Sequence, residues 1–158
     1  MTIIALDPGP TETGYVILAD GRVQESGTLP NQDVLWTVVS LWPGPWGVAD
    51  ARLAIEMVAS YGMAVGRDVF ETVRWIGRFQ QAWHAPDDVL LVYRQDVKLH
   101  LCKSARAKDA NIRQALIDLL GAPGTKKAPG PTYGVKGHEW AALAVAVTAA
   151  ARLHQAAA

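Results

Sequence analysis

The sequence has little of several features that would each point to a different class of protein. It contains a single cysteine, Cys102, so no intramolecular disulfide can form and a reducing cytosol suits the chain. Cysteine and histidine spacings typical of structural zinc are absent. The apolar start is interrupted by Asp7, and the longest run of small apolar residues, 140–151, is too short to cross a bilayer. We expect a cytoplasmic protein without a signal peptide or a membrane partner.

Net charge is also lacking, because 15 Lys and Arg residues balance 15 Asp and Glu residues. The charges are unevenly spread, however. Residues 94–136 hold nine basic and three acidic side chains, a net charge of +6, which leaves −6 for the remainder. Such asymmetry favours a basic face that binds a polyanion, although a solvated helix face would show the same charges.

Residues 2–9 form the most informative stretch of the chain. The run Thr-Ile-Ile-Ala-Leu-Asp-Pro-Gly is apolar without alternation, which is typical of a strand buried on both faces. Asp7 stands at its end, and Pro8 and Gly9 stop the strand there. A buried strand that exposes only its last carboxylate can present it to a metal or a substrate. The alternative is that Asp7 only caps the turn.

The remaining pattern predicts an α/β fold in one domain, residues 1–158. We expect a mixed five-stranded sheet, an antiparallel three-strand meander plus parallel strands, flanked by helices. Asn31 is the expected N-cap of the first helix, and the tryptophans of loop 42–47 are expected to cover the edge of the core. The predicted strands after the first are 14–18, 22–28, 51–57 and 89–93, and the predicted helices are 29–41, 67–83, 95–102, 109–120 and 140–154.

Strand 51–57 repeats the arrangement of the first strand, because it is a buried run that closes with Glu56. If the two strands are parallel neighbours, Asp7 and Glu56 lie at the same edge of the sheet, where ligands bind in α/β folds. Two carboxylates held close together repel each other, and a divalent metal relieves that repulsion. The sequence therefore favours a metal site at this edge.

The basic segment predicts contact with phosphates. Its two helices are joined by a link of small and basic residues, which resembles a helix-turn-helix in outline, but no set of base-reading residues is evident. A long loop, 122–137, adds further lysines. His138 and Glu139 then open an alanine-rich helix and would face whatever lies at its start, although His138 can also be an ordinary N-cap.

Four stretches of the chain resemble, in the same order, the motifs of the RuvC-type Holliday junction resolvases. They are 4–9 with 13–15, 54–56, 93–98 and 138–146. That family has the RNase H-like fold, and the resemblance extends from residue 2 to about residue 150. The first strand also resembles the actin-like sugar kinases, but those need a much longer chain. The match is closest to the short phage-type members.

The resemblance implies a homodimeric endonuclease for branched DNA, above all four-way junctions, with two Mg²⁺ ions per active site that Mn²⁺ can replace. By position, Asp7 and Glu56 would be metal ligands and Lys98 would lie beside the scissile phosphate. Tyr61 would stack on an unpaired base, and helix 67–83 is our candidate for the dimer interface. The residues expected to bind the DNA backbone are Lys103, Arg106 and Lys108, with Lys126, Lys127 and Lys136 added from the basic loop.

The chain departs from the family at one metal ligand. The family's last helix carries an acid or histidine followed three residues later by an acid, and here these positions are His138 and Ala141. We expect His138 to be a ligand or general base and Glu139 to replace the missing acid. The site could instead have three ligands, or be inactive.

Two other functions therefore stay open at this stage. Ala141 would suit a non-catalytic protein that binds branched nucleic acid. A nuclease of broader specificity, which acts on flaps and forks as well as junctions, is the second alternative.

Overall fold

The computed structural model of the protein describes residues 1–39 and 51–158, and its elements follow the order that the sequence predicts. In these two ranges the strands are β1 (Thr2–Pro8), β2 (Glu12–Ala19), β3 (Arg22–Pro30), β4 (Ala51–Met57) and β5 (Leu90–Tyr93). The helices are α1 (Asn31–Val34) with a π-helical continuation (Leu35–Val39), α2 (Arg67–Ala82), α3 (Arg94–Cys102), α4 (Asp109–Leu120) and α5 (Glu139–Ala157), with a 3-10 turn at Pro86–Asp88. Loop 42–47 and the end of the helix predicted for 29–41 lie outside the described residues.

The strands form one mixed sheet in the order β3-β2-β1-β4-β5. β2 pairs antiparallel with both β1 and β3, whereas β4 pairs parallel with β1 and β5 pairs parallel with β4. This confirms the predicted architecture of an antiparallel meander extended by parallel strands. None of the helices in the described ranges combines the length and apolarity that crossing a membrane requires.

Helices cover both faces of the sheet, which explains why β1 is apolar without alternation. Ile3 and Ala5 lie in the core beneath α5, while Ile4 and Leu6 lie in the core beneath α1 and α2. Because side chains alternate along a strand, Asp7 falls on the same face as Ile3 and Ala5. The strand pattern therefore directs the last carboxylate of β1 towards α5.

The turn after β1 is held by Asn31, which does not cap α1 as the sequence suggested. Pro30 occupies the N-cap position, and no side chain caps the helix there. The buried Asn31 amide instead donates to the Gly9 carbonyl at 3.0 Å and accepts from Thr13 Oγ1 at 2.6 Å. The sequence prediction was wrong because Asn31 reaches across to a turn about twenty residues earlier, a contact that only the folded chain creates. Its effect is to brace the exit of the strand that carries Asp7.

Gly14 brings the start of α5 close to the sheet. It pairs with Asp7 across β1 and β2. A Cβ atom at Gly14 would lie 2.7 Å from Cβ of His138 and 2.8 Å from the His138 carbonyl carbon, which is closer than such atoms can approach. Because Gly14 has no side chain, the backbone of His138 rests directly over the strand that pairs with Asp7.

We expect Gly14→Ala to push the start of α5 outward and to lower the free energy of unfolding by about 1–3 kcal/mol, as overpacking does. Urea denaturation measures the loss. Gly77→Ala is the matched control, because Gly77 lies in α2 with no atom within 4 Å of an added Cβ. That change should stabilise the helix by up to about 1 kcal/mol. Equal stability of Gly14→Ala and wild type would contradict the close approach.

Candidate active site

Asp7 and Glu56 meet at one edge of the sheet, as the sequence predicts. Leu6 of β1 pairs with Ile55 of β4 in parallel register, and each is followed by one of the two acids. Ala54 contacts the core under α5, so Glu56, two residues later, lies on that same face. The Asp7 and Glu56 side chains are 18% and 14% exposed. Two largely buried carboxylates therefore lie side by side at the carboxyl ends of parallel strands.

His138 joins these acids from the start of α5. Its Nδ1 lies 3.1 Å from Asp7 Oδ2, and its side chain is 64% exposed. His138 occupies the N-cap position but makes no capping hydrogen bond with its side chain. The imidazole is thus directed at the carboxylate rather than at the helix backbone.

The pKa values of Glu56 and Asp7 are both raised at this site. Burial raises the pKa of Glu56 to about 8, and the neighbouring Asp7 carboxylate adds to that effect. Burial also raises the pKa of Asp7, and His138 opposes the rise. A buried carboxylate pair is costly when both members are ionised, so it favours either a shared proton or a cation.

A cation is already present in the form of Arg94, the first residue of α3. Its Nη1 lies 3.7 Å from Glu56 Oε1, and its Nη2 donates to Asp109 Oδ1. Arg94 does not satisfy every polar atom of this group. Glu56 Oε2 and Arg94 Nη1 are buried and have no hydrogen-bond partner among the described residues. Arg94 therefore offsets the negative charge without satisfying every polar atom.

The donor set fits a hard divalent cation. Carboxylate oxygens suit Mg²⁺ and Mn²⁺, an imidazole nitrogen is compatible with Mn²⁺, and Glu56 Oε2 has a free acceptor. Asp7, Glu56 and His138 are the residues that would hold such an ion. Within ranges 1–39 and 51–158, no three acidic, histidine or cysteine side chains are already gathered closely enough to bind one. Arg94 Nη1 lies 3.7 Å from Glu56 Oε1, so its guanidinium would compete with a metal for that carboxylate.

Glu139 does not join this group, which corrects the expectation that it replaces the missing acid. The residue is 2% exposed, and its Oε2 accepts from Ser26 Oγ at 2.8 Å and from the Lys136 amide at 3.2 Å. Adjacent residues on a helix diverge by about 100°, so when His138 faces Asp7 its neighbour turns towards β3. The hydrogen bond from Ser26 to Glu139 connects α5 to β3, the edge strand of the meander.

The acids line a cleft of about 370 Å³ that also exposes two residues not anticipated as site residues. Arg94 belongs to the basic segment and to the stretch 93–98, and it directly follows β5 at the same sheet edge as Glu56. Asp109, at the start of α4, lines the cleft together with Ala141. The position of Arg94 directly after a predicted strand could have identified it as a site residue from the sequence. No sequence signal pointed to Asp109, because packing of α4 brings it there.

Tyr61 and Lys98 lie on the other side of Arg94, where both line an adjoining groove. Tyr61 also lines a depression shared with Asp7 and Glu56, so the grooves are continuous with the acids. The Tyr61 side chain is 62% exposed, and its backbone has a φ of 48°, in the left-handed region. Both residues therefore lie in a groove that borders Arg94, and Tyr61 also lies near Asp7 and Glu56.

The other predicted DNA-binding residues are exposed on the surface. Lys103 donates from Nζ to the His100 carbonyl at 2.8 Å at the end of α3. Lys136 directly precedes Gly137, which lines the cleft. The guanidinium of Arg113 lies over the Trp140 ring, 4.8 Å from its centroid. The remaining exposed residues of this set are Arg106, Lys108, Lys126 and Lys127.

The raised pKa of Glu56 predicts the pH dependence of stability in EDTA. The folded state binds this proton more tightly than the unfolded chain does, so the stabilisation is complete below the ordinary value of 4.5 and declines as pH rises to about 8. We expect the thermal midpoint to fall over that window, and to fall less in Glu56→Gln. Asp87→Asn, exposed in the 3-10 turn, should behave as wild type. If the thermal midpoint of Glu56→Gln depended on pH as that of wild type does, Glu56 would not be the group responsible.

The sheet order, the flanking helices and the strand-end acids define the RNase H-like class of fold. No family model matches the sequence, and a search of curated proteins finds no match. Among solved structures, RuvC of Thermus thermophilus superposes with a TM-score of 0.67 at 21% identity, covering 98% of this chain and 97% of that one. The same protein in complex with a Holliday junction substrate gives a TM-score of 0.66 at 20% identity, covering 98% and 96%. This chain has the fold of RuvC along nearly its whole length.

Proposed function

We propose that the protein is a metal-dependent endonuclease that cleaves branched DNA, with four-way junctions as its main substrate. The observation that carries the proposal is the convergence of Asp7, Glu56 and His138 at one edge of the sheet. The fold supports it, because T. thermophilus RuvC shares that fold and has been captured with a Holliday junction substrate. We expect the protein to act in the cytosol.

Asp7, Glu56 and His138 are the proposed metal ligands. Two bound Mg²⁺ ions, or Mn²⁺ in their place, would supply activation of a water molecule and stabilisation of the leaving 3′ oxygen. The residues of the chain provide the rest. Burial of Asp7 and Glu56 keeps bulk water from screening their charge, and His138, with Nδ1 3.1 Å from Asp7 Oδ2, directs its imidazole at the same carboxylate.

The grooves beside the acids suit a DNA strand. Lys98 would contact a phosphate next to the cleft, and Tyr61, exposed in the adjoining groove, would stack on an unpaired base. The exposed basic residues of α3, α4 and the following loop would bind more distant phosphates, which gives an affinity that falls with salt. The phosphate contacts among these would orient the DNA and carry no base-sequence information themselves.

Two observations favour a second candidate, a protein that binds branched DNA without cleaving it. Ala141 offers no metal ligand in the cleft, and Arg94 already offsets the charge of Glu56. A structure-selective nuclease of broader specificity is the third candidate. A panel of four-way junctions, flaps, forks and linear duplexes, each with Mg²⁺ and with Mn²⁺, separates the three.

We expect Asp7→Asn to lower cleavage of a four-way junction by more than about a hundredfold while leaving junction binding intact, because the change removes a proposed metal ligand and no phosphate contact. Gel-shift and cleavage assays on the same labelled junction measure the two properties. Asp87→Asn, in the exposed 3-10 turn, is the control and should cleave as wild type does. Parallel loss of binding and cleavage would count against the assignment.

A homodimer is part of the proposal, since two active sites facing one junction would cut paired strands. α2 offers apolar surface for it, because Phe70 and Val73 are 60% and 39% exposed while Ile76 and Phe79 fill the core. We expect sedimentation at micromolar concentration to show a dimer that Phe70→Glu converts to a monomer. Leu119→Glu is the matched control, because Leu119 is 61% exposed on α4. A monomeric wild type would refute the dimer.

A further inference from the structure

We propose that Asp109 supplies the acid that is missing at Ala141, and that Arg94 holds this carboxylate at the site until a divalent cation takes the place of the guanidinium. The inference rests on the proposed metal-dependent function. It names a residue from another helix, α4, as part of the metal site.

Asp109 lies in the cleft that holds the proposed metal ligands. It opens α4 and lines the same cleft as Asp7, Glu56, His138 and Ala141. Of the described residues that line this cleft, only Asp7, Glu56 and Asp109 carry a carboxylate. Asp109 therefore faces the space that an acid at position 141 would otherwise enter.

A side-chain contact between two helices holds α4 against the start of α5. Arg113 lies one helical turn after Asp109, so both project from the same face of α4. The Arg113 guanidinium stacks on Trp140, the residue just before Ala141. This contact keeps the first turn of α4 beside the position that lacks its acid, and it makes the location of Asp109 a consequence of packing between two helices.

Arg94 contacts two carboxylates at once. One guanidinium reaches Glu56 Oε1 at 3.7 Å through Nη1 and bonds Asp109 Oδ1 through Nη2. Two carboxylates from different elements thus converge on a single positive charge. The Glu56 contact is too long for a hydrogen bond, and Glu56 Oε2 and Arg94 Nη1 have no hydrogen-bond partner among the described residues. A small divalent cation, which binds carboxylate oxygens at about 2.0–2.1 Å, would satisfy the oxygens of Glu56 and Asp109 better than the guanidinium does.

Asp109 is also free to move, whereas the other acids near it are engaged elsewhere. Its side chain is 83% exposed and is held by Arg94, so little protein packs against it. Glu139 is buried against Ser26, and Asp96 pairs with Arg152 at 2.8 Å. Asp118, farther along α4, accepts from Gln114. Release of Arg94 would leave Asp109 as the mobile carboxylate at the cleft.

The test is Mn²⁺ binding by the protein. Calorimetry measures the heat of binding, and the electron paramagnetic resonance signal of free Mn²⁺ measures how much metal stays unbound. We expect Asp109→Asn to weaken binding at one site by about tenfold or more. Asp118→Asn, an acid on the same helix outside the cleft, should bind as wild type. Arg94→Gln should bind more tightly than wild type, because the competing guanidinium is gone. Thermal unfolding in EDTA checks that Asp109→Asn and Asp118→Asn remain folded.

A second variant separates a metal ligand from a merely structural contact. Introducing Ala141→Asp into Asp109→Asn restores an acid at the same cleft from α5, so we expect it to recover Mn²⁺ affinity. Wild type and Asp109→Asn binding Mn²⁺ equally would overturn this inference and leave the proposed function standing. Failure of the wild type to bind Mn²⁺ at all would overturn both.

Discussion

The candidate site depends on one close approach, that of the start of α5 to the strand β2. Gly14 has no side chain, so the backbone of His138 can lie directly over it, and Gly14 is the residue that pairs with Asp7. Any side chain at Gly14 would separate the helix from the sheet and His138 from Asp7. Glu139 secures the same junction from the other side by accepting hydrogen bonds from β3 and from the preceding loop.

The second constraint is electrostatic. Two carboxylates buried side by side are unfavourable when both are ionised, and Arg94 relieves the conflict in part. Arg94 bridges to Asp109, so neutralisation of the buried pair also recruits a third acid to the cleft. The basic segment is therefore not a uniform phosphate-binding surface. Arg94 contacts Glu56 and Asp109 and Arg113 stacks on Trp140, whereas Lys98 and the exposed lysines are the residues to which the proposed function assigns DNA phosphates.

Much of the fold could be predicted from the sequence, because it follows from local patterns. The doubly buried β1, the apolar β4 that ends in Glu56 and the helical stripe of α4 each carry their signal within a few residues. Asn31 and Glu139 were assigned wrongly for the opposite reason. Each was interpreted from its position at a helix start, but the Asn31 amide bonds a turn about twenty residues earlier, and Glu139 bonds Ser26 across the fold. Such partners are set by tertiary contacts.

The sequence by itself determined that Asp7 and Glu56 close two buried strands, because strand burial and strand ends are properties of short stretches of chain. It also placed His138 at the start of a helix. Only the tertiary structure decided which side chains share the cleft. Pairing of β1 with β4 brought the two acids together, Gly14 admitted His138, and packing of α4 on α5 added Asp109 while turning Glu139 away. Those outcomes depend on the relative placement of whole elements, which no local pattern encodes.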